Sequence, residues 1–376
     1  MKKSLLLVIN EDRFFLSHRT RLAEKAMENG WEVTLVTKDT GRRQEIEAKG
    51  FKYIELPINP TGMKLKDEIK TFRFLFKLFK NNKESIIHLV GLKNMLWGGL
   101  ASKLVNSKGV LYAVSGLGTL FGEERNRNLA FLIQKFLRFS MNRNNTAVIF
   151  QNRDDQQLFT HNVLTGKTLV YFTKGSGVDL NQYSNANRIS HSPLRIIFTA
   201  RMIREKGVED LVKAAEILRA RYFGKIEFWL CGDISDNPNA ITLEELGTMI
   251  DGEYIKWFGF RRDIPGLLRQ CDIMCFPSYY REGVPRSLLE ASAVGLPIVT
   301  TDSVGCRDTV EHGKNGFLVS PHSPEELASA LENLILDENL RNTMGEYSRH
   351  KALREYDVED VASIHFDIYQ RLNQEL

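Results

Sequence analysis

Short apolar runs recur along this 376-residue chain, interleaved with helical patterns, and no other feature restricts its fold so tightly. In the first half they lie at residues 5–9, 32–37, 53–56, 85–90, 110–114 and 147–150, and residues 18–29 read as a helix closed by Gly30. A second series follows at 195–199, 225–230, 255–257, 273–276, 298–300 and 317–319. Apolar strands alternating with helices argue for a parallel sheet covered on both faces. A chain of this length exceeds one ordinary core. The Asn- and Ser-rich stretch 180–193, ending in Pro193, makes a linker between the two series. The pattern predicts an α/β protein with domains over residues 1–185 and 192–352, followed by a helical segment within 353–376.

The most specific chemistry lies in Ser278-Tyr279-Tyr280-Arg281-Glu282-Gly283-Val284-Pro285-Arg286-Ser287-Leu288-Leu289-Glu290. It follows the strand-like run 273–276. Pro285 suits the first turn of a helix, where its missing N–H would be unpaired anyway. Glu282 then lies on the loop before a helix N-terminus, and Glu290 nearly two turns inside. Free N–H groups and the positive dipole end between them suit a diphosphate. Each carboxylate can accept hydrogen bonds from neighbouring sugar hydroxyls. A diphosphate between two hydroxyl-rich rings describes a nucleotide sugar. The same residues also suit an ordinary strand-to-helix junction with a solvated Glu290. Upstream, the strand-like run 196–199 leads into a loop holding Arg201 and Lys206. In open α/β sheets ligands bind beyond the carboxyl ends of strands, where Arg offers a planar fork and Lys a mobile charge to phosphate oxygens.

The passage from 276 to 319 resembles the donor-sugar region of the family 4 retaining glycosyltransferases. The matching residues are Pro277-Ser278, Glu282-Gly283-Val284-Pro285, Leu289-Glu290-Ala291, Gly295-Leu296-Pro297-Ile298-Val299, Thr301-Asp302 and Gly313-Lys314-Asn315-Gly316-Phe317-Leu318-Val319. Members that build capsular or O-antigen saccharides are the most similar in kind. The resemblance implies that Glu282 contacts the donor sugar, Glu290 holds the ribose hydroxyls, and Arg201 and Lys206 neutralise the diphosphate. It implies further that Gly259, Phe260 and Arg261 border the nucleotide base. The implied fold is GT-B: two Rossmann-like, doubly wound domains flanking a cleft, the first for acceptor and the second for donor. In relatives the last helix crosses back to brace the first domain; an ordinary terminal helix on the second domain is the alternative.

Charge is unevenly distributed. Residues 1–185 hold 29 of the 51 Lys and Arg but 17 of the 47 Asp and Glu, a net of +12; the remainder holds 22 against 30, a net of −8. The basic half points to an anionic partner. No nucleic-acid-binding motif accompanies the charge, which favours a membrane surface or a lipid diphosphate. Residues 64–83 carry this furthest. Leu65, Ile69, Phe72, Phe76 and Phe79 form an apolar stripe, and Lys66, Lys70, Arg73, Lys77 and Lys80 form a basic row one position over. That row sits about 100° away on a helix. Phe74 and Leu78 lie off the main stripe. This suits an interfacial helix on anionic lipid; a surface helix packed through its Phe row, with a solvated basic face, is the alternative.

Other features are weaker. Residues 5–9 follow two lysines but are too short for a signal peptide and lack a cleavage site. No apolar window reaches membrane-spanning length. Cys231, Cys271, Cys275 and Cys306 show neither zinc spacing nor a disulfide framework, and a cytoplasmic protein on the inner face of the cell membrane is expected. Gly116 and Gly118 sit in a Gly-x-Gly turn after a strand; it lacks a third glycine and is weak support for a dinucleotide. In similar polysaccharide enzymes such a loop borders the cleft. His18 and Arg19, expected to open the first helix, and His88, near a strand end, are acceptor or cleft candidates. The glycine-rich first turn common in the family is missing.

No Asp-x-Asp and no metal-ligand spacing occurs, so no metal or other cofactor is expected beside the nucleotide sugar. The reading is a retaining, metal-independent hexosyl- or N-acetylhexosaminyltransferase. Its donor is a UDP-sugar and its acceptor a polyprenyl-diphosphate-linked saccharide of bacterial surface polysaccharide assembly. A nucleotide-sugar epimerase of the same fold and a non-catalytic nucleotide- or lipid-binding scaffold are the rivals.

Overall fold

The chain divides into two units, Met1–Ser176 with Val358–Leu376, and Gly177–Asp357. The computed structural model describes residues 3–60, 64–117, 127–164, 166–185, 191–234 and 239–374.

In the first unit, β1 (Ser4–Glu11), β2 (Glu32–Lys38), β3 (Lys52–Glu55), β4 (Ile86–Val90), β5 (Gly109–Val114), β6 (Thr146–Phe150) and β7 (Thr168–Phe172) form one sheet. Its order is β3-β2-β1-β4-β5-β6-β7 and every neighbouring pair is parallel. Helices α1 (Asp12–His18), α2 (Thr20–Glu28) and α3 (Arg43–Ala48) connect the strands on one side of β4. Helices α4 (Leu65–Asn81), α5 (Leu92–Leu104), α6 (Arg127–Met141) and α7 (Arg153–Asn162) connect the rest. Because the order reverses between β1 and β4, right-handed crossovers place these two groups on opposite faces. Accordingly Phe15, Leu22 and Ile46 join one core, and Leu75, Phe79, Met95, Leu137 and Phe159 the other.

The structure differs from the sequence-based expectation at three places. β7 (Thr168-Leu169-Val170-Tyr171-Phe172) is an edge strand with most positions half-exposed and was not expected, although its residues are as apolar as those of the strands that were. The first helix starts at Asp12, not 18: the acidic Asp12 suits a helix's first turn, and its buried carboxylate accepts the N–H groups of Thr40 and Arg42 at 2.9 and 3.2 Å, tying the helix start to the loop after β2. It then breaks at Arg19 (φ −132°, ψ −3°), leaving His18 at its end rather than opening it. In α4 the row that packs inward is Thr71, Leu75 and Phe79, while Leu65 and Ile69 point outward at 72% and 42% exposure. Phe74 and Leu78, expected off the packed stripe, are partly buried against the core.

The second unit holds β8 (Leu194–Thr199), β9 (Ile226–Cys231), β10 (Ile255–Trp257), β11 (Ile273–Phe276), β12 (Ile298–Thr301) and β13 (Gly316–Val319), in the order β10-β9-β8-β11-β12-β13. Around this parallel sheet lie α8 (Val208–Tyr222), α9 (Leu243–Met249), α10 (Ile264–Arg269), α11 (Arg286–Val294), α12 (Pro324–Leu336) and α13 (Glu338–Glu355). Here the order reverses between β8 and β11, so the crevice for a ligand lies beyond their carboxyl ends. Residues 177–185 belong to this unit: Val178 N–H donates to the Tyr356 carbonyl at 2.8 Å.

The last helix, α14 (Val358–Gln374), belongs to the first unit. Its buried Phe366, Ile368, Tyr369 and Leu372 complete the core that contains α1 and α2. Arg21 grips Glu359 through two hydrogen bonds, and Asn145 Nδ2 donates to the Leu372 carbonyl at 2.7 Å.

Candidate functional site

Beyond β8 the chain runs through Arg201 into a single 3-10 turn, Arg204–Lys206, and then into α8. Beyond β11 it runs through Ser278 and Glu282 to α11. The two loops meet. Lys206 Nζ donates to Glu282 Oε1, both side chains being largely buried. The ammonium also lies 5.5 Å from the ring centroid of Phe276 and 5.2 Å from that of Tyr280. Gly207 (φ +81°) permits this approach, because a Cβ there would stand 2.1 Å from the Pro277 carbonyl oxygen. Tyr279 and Tyr280 N–H groups donate to the Glu205 carbonyl at 3.0 and 3.1 Å, closing the loops together. Arg201 is exposed at the start of the loop that carries Lys206.

Behind Glu282 lies a support that its own motif does not reveal. Gly305 (φ +83°) passes so close that a Cβ would stand 2.3 Å from the Gly283 oxygen and 2.9 Å from Glu282 Cβ. Ser303 Oγ donates to the Ser278 carbonyl at 2.8 Å, and Thr301 Oγ1 donates to the same oxygen. Gly283, Val284 and Pro285 are buried. Pro285 is the N-cap of α11 (φ −62°, ψ 120°), one position earlier than expected, and no side chain caps the helix.

Glu290 is therefore the fifth residue of α11, little more than one turn inside rather than nearly two. It is buried, not a solvated face. Arg286 Nε donates to its Oε1 at 2.7 Å, and the Tyr183 hydroxyl donates to the same oxygen at 2.8 Å. Burial opposes the Arg286 cation, yet Glu290 outweighs it and the guanidinium pKa rises. Burial and the Glu290 charge likewise push the Tyr183 phenol upward. Both contacts fall on Oε1. Arg286 stands at the i,i+4 spacing of a helical ion pair and was legible in principle. Tyr183, 107 residues away, was not.

The neighbouring loops are tied by a third close approach. Gly232, just past β9, would put a Cβ 1.6 Å from the Ala200 oxygen, and its N–H donates to the Gly259 carbonyl at 2.9 Å. Gly259 itself adopts φ +62°. Beside it Phe260 is 65% exposed, while Arg261 makes a bidentate pair with Asp263 at 2.8 and 2.6 Å. Thus Arg201, Lys206, Glu282, Glu290, Gly259, Phe260 and Arg261 all belong to one unit.

The first-unit candidates fare differently. His18 is half-buried and stacked on Phe14 at 4.2 Å between centroids. Arg19 and His88 are buried, with His88 Nδ1 2.7 Å from the Tyr369 hydroxyl of α14. As a correction, neither offers a surface to an acceptor; His88 is core. The cause is α14, which covers that face of the sheet. Burial holds Arg19 down to about 10 and His365 down to about 3, and lowers His88 well below its ordinary value. Gly116 follows β5 with φ +102°, and Gly118 lies outside the described residues. The basic row Lys66, Lys70, Arg73, Lys77 and Lys80 is exposed along α4. Among the described residues no group of three or more His, Cys, Asp and Glu is placed to hold a metal ion, and no helix is long and apolar enough to cross a membrane.

Two parallel-sheet units of this kind define the GT-B fold. The structure of Anabaena Alr3699/HepE in complex with UDP and glucose superposes with a TM-score of 0.76 at 20% identity, covering 98% of this chain and all of that one. The "Glycosyl transferases group 1" model matches residues 180–351, and the "Glycosyl transferase 4-like" model residues 4–152. The chain belongs to this family of group 1, GT4-type glycosyltransferases. It is 26% identical over 91% of both chains to the N,N'-diacetylbacillosaminyl-diphospho-undecaprenol alpha-1,3-N-acetylgalactosaminyltransferase of Campylobacter jejuni. It is also 23% identical to the UDP-Gal:alpha-D-GlcNAc-diphosphoundecaprenol alpha-1,3-galactosyltransferase of Escherichia coli, over 87% of this chain and 86% of the other.

Proposed function

We propose that this glycosyltransferase moves a hexose or N-acetylhexosamine from a UDP-sugar to a polyprenyl-diphosphate-linked saccharide, with retention and without a metal, at the inner face of the cell membrane. The carrying observation is the Lys206–Glu282 pair, whose carboxylate lies on the loop that leads into α11, together with the buried Glu290 of that helix, held through Oε1. Both nearly full-length relatives named above act on undecaprenyl-diphosphate saccharides, which supports this acceptor class.

In this reading the β-phosphate enters beside Lys206, Arg201 and the uncapped start of α11. There positive charge offsets the diphosphate as it departs. Glu282 accepts from donor-sugar hydroxyls, with the backbone of Gly283, Val284 and Pro285 shaping the pocket floor. Oε2 of Glu290 accepts from the ribose, while Gly259, Phe260 and Arg261 border the base. The acceptor hydroxyl attacks the anomeric carbon from the face that UDP leaves. As the new glycosidic bond forms and the old C–O bond breaks, its proton passes to the departing phosphate oxygen. Positioning and leaving-group stabilisation then carry the rate. The first unit holds the acceptor near His18 and Gly116, and the α4 basic row meets anionic lipid.

The test is an incubation of UDP-sugars with a short-chain polyprenyl-diphosphate N-acetylhexosamine. Mass spectrometry should show one added hexose or N-acetylhexosamine, and the anomeric coupling constant should report retention. Conversion of donor without acceptor would instead indicate the epimerase.

A further inference from the structure

Helix α6 departs from the usual surface helix, which turns a polar side to water, by exposing apolar residues among its cations. Its inward row, Ile133, Leu137 and Met141, is buried. Its outward row is Phe131, Leu132, Lys135, Arg138 and Phe139, and the three apolar members are 56%, 63% and 54% exposed. Single exposed apolar residues are unremarkable on any surface, but three on one helical face form a patch. The helix contains no acidic residue. Its cations lie against its rings: Lys135 Nζ stands 5.1 Å from the Phe131 centroid, and Lys103 Nζ of α5 stands 4.1 Å from that of Phe139.

The patch is continuous with the basic helix. Trp97 of α5 packs on Phe72 of α4 at 6.3 Å and on Phe136 of α6 at 5.7 Å, so an aromatic row laces the three helices side by side. All three follow strands of one parallel sheet and share one core, so they run in the same direction. The exposed Leu65 and Ile69 of α4 and Phe131 and Leu132 of α6 therefore mark the same end of the layer. Glu68, an acid on α4, is turned inward onto Lys93 and Trp97. A second copy of this chain on this face would set like charges opposite one another. A purely polyanionic partner would satisfy the cations and leave the rings wet.

We propose that α6 is the element that enters the membrane: Phe131, Leu132 and Phe139 sink to the headgroup–acyl boundary of an anionic leaflet, while α4 supplies long-range charge. This deepens the membrane-surface part of the proposed function and needs nothing from the sugar chemistry. It divides binding into two components. Attraction through α4 fades with salt, and anchorage through α6 persists.

Vesicle flotation of the full chain, with phosphatidylglycerol in phosphatidylcholine, separates them. F131S/L132S/F139S should weaken binding roughly tenfold or more at low salt and abolish what remains at high salt. K66Q/K70Q/K77Q/K80Q should lose mainly the salt-sensitive part. These side chains are exposed, so the melting curve of the triple variant should match wild type. As an independent readout, the added emission of F131W should be quenched by brominated acyl chains. Wild-type binding by the α6 variant, or an unquenched F131W, would overturn the proposal while leaving the transferase reading intact. Loss of self-association in the α6 variant, with vesicle binding unchanged, would overturn it in favour of a second copy.

Discussion

Lys206 and Glu282 lie 76 residues apart in sequence and meet as an ion pair at the reversal point of the second sheet. The pair joins a cation suited to a diphosphate to a carboxylate suited to a sugar. Each therefore also sets the position of the other.

Because they act on one reacting bond, their losses should not add. Lys206→Ala and Glu282→Ala should each lower kcat roughly 10²–10³-fold. The double variant should fall little further. Steady-state kinetics on the three proteins decides; near-wild-type turnover in either single variant sinks the assignment.

The Glu290 anchorage should appear in donor affinity. Glu290→Ala should weaken UDP binding by roughly 1.5–3 kcal/mol, the worth of a hydrogen bond to a charged group. Arg286→Met and Tyr183→Phe, which free Oε1, should raise KM for the donor more than they lower kcat. Calorimetry with UDP is the direct check.

Metal removal should leave turnover unchanged. Wild type treated with EDTA should retain its rate, and added magnesium should not rescue Arg201→Ala or Lys206→Ala. Abolition by EDTA with recovery on adding divalent metal would refute the metal-free mechanism.

Gly305→Ala should damage the donor loop from behind. Its Cβ would collide with the Gly283 oxygen, 2.3 Å away, at a φ of +83° that other residues resist. A cost of about 1–3 kcal/mol is expected, with donor KM raised because Glu282 moves. Thermal melting and kinetics together test this.

Acid should loosen the first unit. Burial, then Arg19, holds His365 at about 3, against an ordinary 6.5. The folded state thus keeps it neutral where the unfolded chain takes up a proton. Stability is then full above pH 6.5 and falls as the pH drops from there towards 3. Burial acts on His88 in the same direction. Each should cost about 1 kcal/mol between pH 7 and 5.5, and His365→Gln should reduce that slope. Urea unfolding at the two pH values measures it.

How much of this was legible beforehand depends on the reach of each interaction. All six strands of the second unit follow from local apolar runs, because buried parallel strands are apolar throughout. The edge strand β7 was missed although Leu169-Val170-Tyr171-Phe172 carries the same apolar signal, so its omission has no physical excuse. The donor-loop residues stand in a contiguous motif, whereas Tyr183, Ser303 and Gly305 are brought to it only by the fold. Arg19 and His88 looked like cleft residues because nothing nearby in sequence reveals α14, whose Tyr369 lies 281 positions from His88.

That distance bears on how the protein is made. Phe366, Ile368, Tyr369 and Leu372 fill part of one face of a sheet whose strands are all synthesised before residue 176. On the ribosome the first unit must wait, with the part of that face beyond α1–α3 uncovered, while the whole of 177–357 is translated. The second unit needs no residue outside its own contiguous stretch and can close first. Birth order and folding order are thus reversed, and the nascent first half is where a chaperone would be needed.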